Sequence, residues 1–185
     1  MKKKIVVIDP GHGGRDSGAK GSFLEEKDVT LHMSNSIRES LARRGVKVLL
    51  TRDPSEDRST PLKHRVNVAN RSGADAFVSV HMNGFHRPSA RGTEVFHFPA
   101  SKEGHRLGYH VYNRMKEAVP NCVARGLKAK SLYVLRNTAM WAILVEPAFL
   151  TNPQEEQTFK RTHVIVSVAE AIADGVLAFL SEGDD

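Results

Sequence analysis

Ile5-Val6-Val7-Ile8-Asp9-Pro10-Gly11-His12-Gly13-Gly14-Arg15-Asp16-Ser17-Gly18 is the stretch on which the reading of this chain turns. Its first four residues form an unbroken apolar run, the signature of a strand buried on both faces in a parallel sheet. Asp9-Pro10-Gly11 stops the strand, and the glycines that follow let the backbone turn sharply and present His12 at the strand end. As a phosphate loop the stretch fails. Gly18 is followed by Ala19 where a Walker motif needs lysine, and Asp16 stands where the dinucleotide fingerprint needs its third glycine.

Outward from that strand, helices and strands alternate. Val29, Met33, Ile37 and Leu41 recur every fourth position between Lys27 and Arg44, the stripe of a helix laid on a sheet, and Gly45 is placed to end it. Val46–Leu50 reads as a second strand. Pro61–Ser72 reads as a second helix with Leu62, Val66 and Ala69 on its inner side, and Ala76–His81 as a third strand. Thr93–Phe98 alternates more evenly and is expected at a sheet edge, followed by a helix over Lys102–Val119. Ala142–Glu146 is the last strand, and Val164, Val168, Ala171, Ile172 and Leu180 fit a C-terminal helix packed back on the sheet. The pattern predicts an α/β fold, a mostly parallel sheet between helices.

The 185 residues, 40% hydrophobic and 26% charged, suit one domain, expected over residues 1–181 with an acidic tail at 182–185. No run approaches the roughly 18 uninterrupted apolar residues of a membrane span, so no membrane insertion is expected. Met1-Lys2-Lys3-Lys4 resembles the basic part of a signal peptide, but Ile5–Ile8 is too short an apolar run to complete one. An enzyme acting outside the membrane would therefore leave by lysis, through a holin-type pore, or within a longer precursor. Cys122 is the only cysteine, which excludes an intrachain disulfide and a four-cysteine zinc site; it reads as an inert thiol. The formal charge of +6 suits an anionic partner such as nucleic acid or a wall polymer. Because the cations are interspersed with acids, a solvated surface accounts for most of them.

In open α/β sheets, chemistry collects at the carboxyl ends of the strands. His12 lies just past the first strand, His81 closes the third, Glu146 closes the last, and Glu26 opens the first long helix. Two imidazoles and a carboxylate are the ligand set of a catalytic zinc that keeps a position open for water. His12, Glu26 and His81 are assigned as ligands of one Zn2+. Glu146 then remains to take a proton from the activated water and pass it to a leaving nitrogen. Two plainer readings compete: Glu26 as a helix N-terminal acid favoured by the macrodipole, and Glu146 as half of a salt bridge with an arginine. The other histidines, His32, His64, His86, His97, His105, His110 and His163, read as ordinary surface or core residues.

Seven segments in this order resemble the zinc-dependent N-acetylmuramoyl-L-alanine amidases of autolysins, division amidases, spore-lytic enzymes and phage endolysins. They are Val7–Gly14, Glu26-Lys27-Asp28-Val29, Leu50-Thr51-Arg52, Ser79-Val80-His81-Met82-Asn83, Ala90-Arg91-Gly92-Thr93-Glu94, Leu132–Arg136 and Leu144-Val145-Glu146. The resemblance implies a twisted, mainly parallel six-stranded sheet with helices on both faces. It also implies zinc on His12, Glu26 and His81, with Glu146 catalytic, and hydrolysis of the amide joining N-acetylmuramic acid to L-alanine in peptidoglycan. Asn83, Arg91 and Arg136 are candidate substrate contacts, although stabilising loops explains them equally well. Met82 and Pro147-Ala148 depart from common family residues and are expected to reshape the groove. The short segment between Phe98 and Leu132 predicts a site without the plugging helix of division amidases. Peptidoglycan is the expected partner of a monomer, with no nucleic acid. The absent signal favours an endolysin or mother-cell lysin. The rival functions are a zinc peptidase cutting within the stem peptide and a non-catalytic wall-binding module.

Overall fold

The computed structural model describes residues 3–53, 55 and 58–182. The elements run β1 (Ile5–Pro10), α1 (Glu26–Arg43), β2 (Lys47–Leu50), α2 (Leu62–Arg71), β3 (Ala76–Val80), β4 (Thr93–His97), α3 (Lys102–Ala118), β5 (Ala124–Ala129), α4 (Tyr133–Asn137), β6 (Trp141–Glu146), α5 (Pro153–Phe159) and α6 (Thr162–Ser181). The six strands lie in the order β2-β1-β3-β6-β4-β5. All neighbours are parallel except β4 and β6. The α/β sheet with helices on both faces is as expected.

Strand alternation divides the interior in two. Val6, Ile8, Val78, Val80, Ile143 and Val145 point into a large core under α1, α3 and α6, where the stripe Val29, Met33, Ile37 and Leu41 is buried as its spacing predicts. Val7, Phe77, Ala142 and Leu144 point into a smaller core under α2 and α4, with Val66, Ala69, Val134 and Leu135. The thick layer packs closely: a Cβ on Gly175 of α6 would lie 2.5 Å from the Val111 Cα of α3. Of the residues expected on the inner side of the C-terminal helix, Val164, Val168, Ile172 and Leu180 are buried and Ala171 is half-buried. With 20 residues and a mean hydropathy of 1.9, α6 is long and apolar enough to cross a membrane by composition alone. Its apolar side is buried in the core, and Glu170 and Asp174 on it pair with Arg43 and Arg44.

Three expectations change. Thr93–His97 is not an edge strand, because β5 pairs along its outer side. Leu62 is 53% exposed rather than inward, since it opens α2 beyond the small core and stands at the rim of a cleft. Two short helices, α4 and α5, were not expected. Of the acidic tail, Glu182 pairs with Arg106 and His110, each at 2.7 Å, while residues 183–185 lie outside those described.

Candidate metal centre

Past β1 the chain folds back on itself, with Gly13 and Asp16 exchanging backbone hydrogen bonds of 2.8 and 3.1 Å. His12 within this turn has φ 59°. A side chain in that left-handed region costs about 1–2 kcal/mol, so the turn must be held by its surroundings. Two glycines permit the close approaches that follow. A Cβ on Gly11 would lie 2.6 Å from the His81 ring, and one on Gly18 would lie 2.5 Å from the Glu26 carboxylate and 2.6 Å from the His12 ring.

The His12 and His81 rings meet edge to face with centroids 5.0 Å apart. Glu26 reaches between them from the first turn of α1: its Oε1 lies 3.1 Å from His12 Nε2 and 2.9 Å from His81 Nδ1. One ligand atom from each residue falls within 4.8 Å of the others, and among the described residues this is the one such group able to hold a metal ion. Glu26 is fixed further by the amides of Met82 (3.0 Å, to Oε1) and Ala19 (2.7 Å, to Oε2). Burial opposes its ionisation, but hydrogen bonds from His12 and His81 hold its pKa down to about 2. Burial likewise works against charge on His12, and Glu26 and Asp16 outweigh it and raise its pKa. His12 Nδ1 lies 2.9 Å from Asp16 Oδ2. A cation that displaces the Nε2 proton leaves Nδ1 donating to that carboxylate, the usual orientation of a metal-binding histidine by a second carboxylate. The donor chemistry fits a divalent ion such as zinc with a position left open.

Glu146 ends β6 immediately beside His81: Val80 and Val145 are register partners, and the His81 amide donates to the Val145 carbonyl at 3.0 Å. Its Oε2 is buried and has no hydrogen-bond partner among the described residues. Burial first, then the Glu26 and Glu94 carboxylates, push its pKa well above the usual range, with Lys130 opposing. A cleft of about 390 Å³ opens beside the histidines. Asp9, His12, Asp16, Arg65 and His81 line one part of it, Ser59 and Thr60 another, and Pro61, Leu62, Leu132, Tyr133, Val134 and Leu144 the rest. Between Phe98 and Leu132 the chain forms α3 under the sheet and β5 at its edge; neither lines the cleft.

Residues 6–178 match the family described as N-acetylmuramoyl-L-alanine amidase. The chain belongs to that family. Its fold superposes on the amidase AmiC2 of Nostoc punctiforme with a TM-score of 0.90 at 38% identity, covering 96% of this chain and 97% of that one. For an N-acetylmuramoyl-L-alanine amidase from Clostridium difficile 630 the TM-score is 0.92 at 33% identity, covering 98% of each. An endolysin of Bacillus phage SPP1 is 36% identical over 96% of this chain, which spans 66% of that relative.

The structure separates this family member's remaining candidates. Asn83 lies near the site, and its Nδ2 donates to Glu94 Oε1 at 2.6 Å. Arg91 and Arg136 do not line the cleft. Arg91 borders a depression with Pro88, Asn152 and Gln154, and Arg136 borders another with Phe98 and Trp141. Met82 and Ala148 are buried in the large core. Two residues with strong roles near the site were not singled out from sequence. Glu94, register partner of Glu146, is buried and bound by Arg125 at 2.9 Å and by Lys128. Arg65, only 3% exposed, pairs with Asp9 at 2.8 Å. Each reads from sequence as a charged residue within an amphipathic element; only tertiary pairing reveals its burial.

Proposed function

We propose that the chain is a zinc-dependent amidase that hydrolyses the bond between N-acetylmuramic acid and L-alanine in peptidoglycan, acting at the cell wall as one catalytic domain. The observation that carries this reading is an unpartnered, buried carboxylate oxygen on Glu146, next to a cluster of two imidazoles and a carboxylate. His12, Glu26 and His81 would hold the ion. When bound, zinc supplies Lewis acidity, polarising the amide carbonyl and making hydroxide available near pH 7.

The protein's own groups do the rest. Asp16 fixes the His12 ring, and the Met82 and Ala19 amides fix Glu26, so the ligand set is held before substrate arrives. Glu146 Oε2 accepts a proton from the attacking water. It then gives that proton to the L-alanine nitrogen as the amide bond breaks. Family membership and the names of the relatives supply the bond that is cut.

Digestion of purified peptidoglycan tests this reading. A new N-terminal L-alanine, abolished by chelator and restored by zinc, is the expected product. A different new N-terminus would identify a peptidase cutting within the stem. Binding to wall without loss of turbidity would identify a non-catalytic module.

A further inference from the structure

We infer that Arg65 is a positioning residue for the metal site, holding His12 in the left-handed conformation that aims its ring at Glu26 and His81. This rests on the assignment of His12 as a metal ligand.

The turn after β1 is held by side chains that donate to its carbonyls in succession. Arg65 Nη1 donates to the Pro10 carbonyl and Thr30 Oγ1 to that of Gly11 at 2.9 Å. Arg65 Nη2 donates to the His12 carbonyl at 2.7 Å and Ser59 Oγ to that of Gly13 at 2.9 Å. Arg65 thus contributes two of these bonds, and the one on His12 belongs to the residue with φ 59°. Its Nε donates to the Thr60 carbonyl at 2.8 Å, and Nη1 also meets Asp9 Oδ1 at 2.8 Å. The guanidinium is therefore fixed on its own side by the segment leading into α2 and on the other by the strand end.

A left-handed non-glycine residue persists only where its surroundings over-determine it. Here the carbonyl of that residue is gripped by a planar fork that is itself anchored at three further points. Asp9 supports the fork from below: it is 1% exposed and also accepts from Ser79 Oγ at 2.6 Å and from Thr51 Oγ1. Lysine cannot reproduce this, because a single ammonium cannot span carbonyls two residues apart in the fixed geometry of a guanidinium. Without the fork, residue 12 relaxes towards ordinary backbone angles and its ring turns away from the other two ligands.

The test is the zinc dissociation constant of the folded protein, measured by competition with a chromophoric chelator, with circular dichroism to establish folding. Arg65→Lys and Arg65→Gln should each weaken zinc binding about 10- to 100-fold, the scale for residues that orient a metal ligand. Leu41→Ala is the control: it opens a cavity in the large core near the far end of α1, away from Arg65, Asp9 and the His12 turn, so it should lower thermal stability and leave zinc affinity unchanged. Should Arg65→Gln fail to fold, Arg65→Lys decides, since it keeps a cation opposite Asp9. A folded Arg65→Lys protein with wild-type zinc affinity would overturn the inference alone. A wild-type protein that binds no zinc would overturn the metal assignment and this inference with it.

Discussion

The two faces of the sheet are built from the same strands yet end differently. On the face under α1, α3 and α6, alternate residues stay apolar to the carboxyl ends: Ile8 in β1, Val80 in β3, Val145 in β6. On the face under α2 and α4, the same strands run from apolar to polar: Val7 to Asp9, Phe77 through Ser79 to His81, Leu144 to Glu146. Helices of 18, 17 and 20 residues cover the first face, whereas helices of 10 and 5 residues cover the second. One side of each strand thus serves stability along its whole length, while the other gives up burial at its end to assemble chemistry. Glu26 bridges the two, because the first turn of a helix on the apolar face reaches over the sheet edge to the polar one.

The largest effect expected from this division falls on the proposed ligands. Replacing His12 or His81 by Ala should abolish zinc binding and reduce wall lysis to that of chelator-treated protein, while the melting transition of the metal-free chain persists. Metal analysis showing full zinc occupancy in either variant would remove that histidine from the site.

Glu146→Gln comes next, with zinc retained and turnover lowered about 10²- to 10⁴-fold, the range for a lost general acid or base. The same substitution probes the cost of the polar strand ends. Burial raises the folded-state pKa of Glu146 above its unfolded value, so the native state binds the extra proton and stability falls as pH rises through that interval. Glutamine removes the titration. Metal-free Glu146→Gln should therefore melt above the metal-free wild type, with a wider margin at pH 8 than at pH 5. Calorimetry that finds no margin at pH 8 would mean that the carboxylate costs the fold nothing. Glu26 has the opposite sign: its pKa is depressed to about 2, so the stability it confers is present above the unfolded value and disappears as pH falls towards 2.

How far the sequence foretells this arrangement depends on which face a residue serves. The apolar face writes itself in periodicity: the four-residue stripe of α1 and the apolar runs of β1, β3 and β6 have no other use. Strand ends follow from those runs, which is why the positions of His12, His81 and Glu146 were legible, and that of Glu26 followed from the helix start. The strand β5, Ala-Arg-Gly-Leu-Lys-Ala, was not legible from its own residues. As an edge strand it buries little, and its pairing with β4 rests on backbone hydrogen bonds that leave no side-chain pattern. Missing β5 also put β4 at the edge. Arg65 was illegible for a related reason: a helical arginine beside Val66 looks solvated until the carbonyls of a distant turn are brought to it.

The smallest effect comes from a pair of leucines that sets the two faces against each other directly. Leu41, in the last turns of α1, is fully buried in the large core, and Leu62, opening α2, is 53% exposed on the cleft rim. Leu41→Ala removes buried methyl groups where three helices and the sheet prevent collapse, so it should cost about 2–5 kcal/mol. At about 2–4 °C per kcal/mol for a chain of this size, the melting temperature should drop by several degrees or more. Leu62→Ala opens no cavity because solvent already reaches the site, and its stability change should stay within about 0.5 kcal/mol of wild type. Any effect it has should appear instead in KM for soluble wall fragments, with kcat retained, since its side chain borders the cleft and is not one of the proposed metal ligands. Equal destabilisation by the two substitutions would break the comparison, for it would mean that the thin layer over the cleft supports the fold as much as the thick one does.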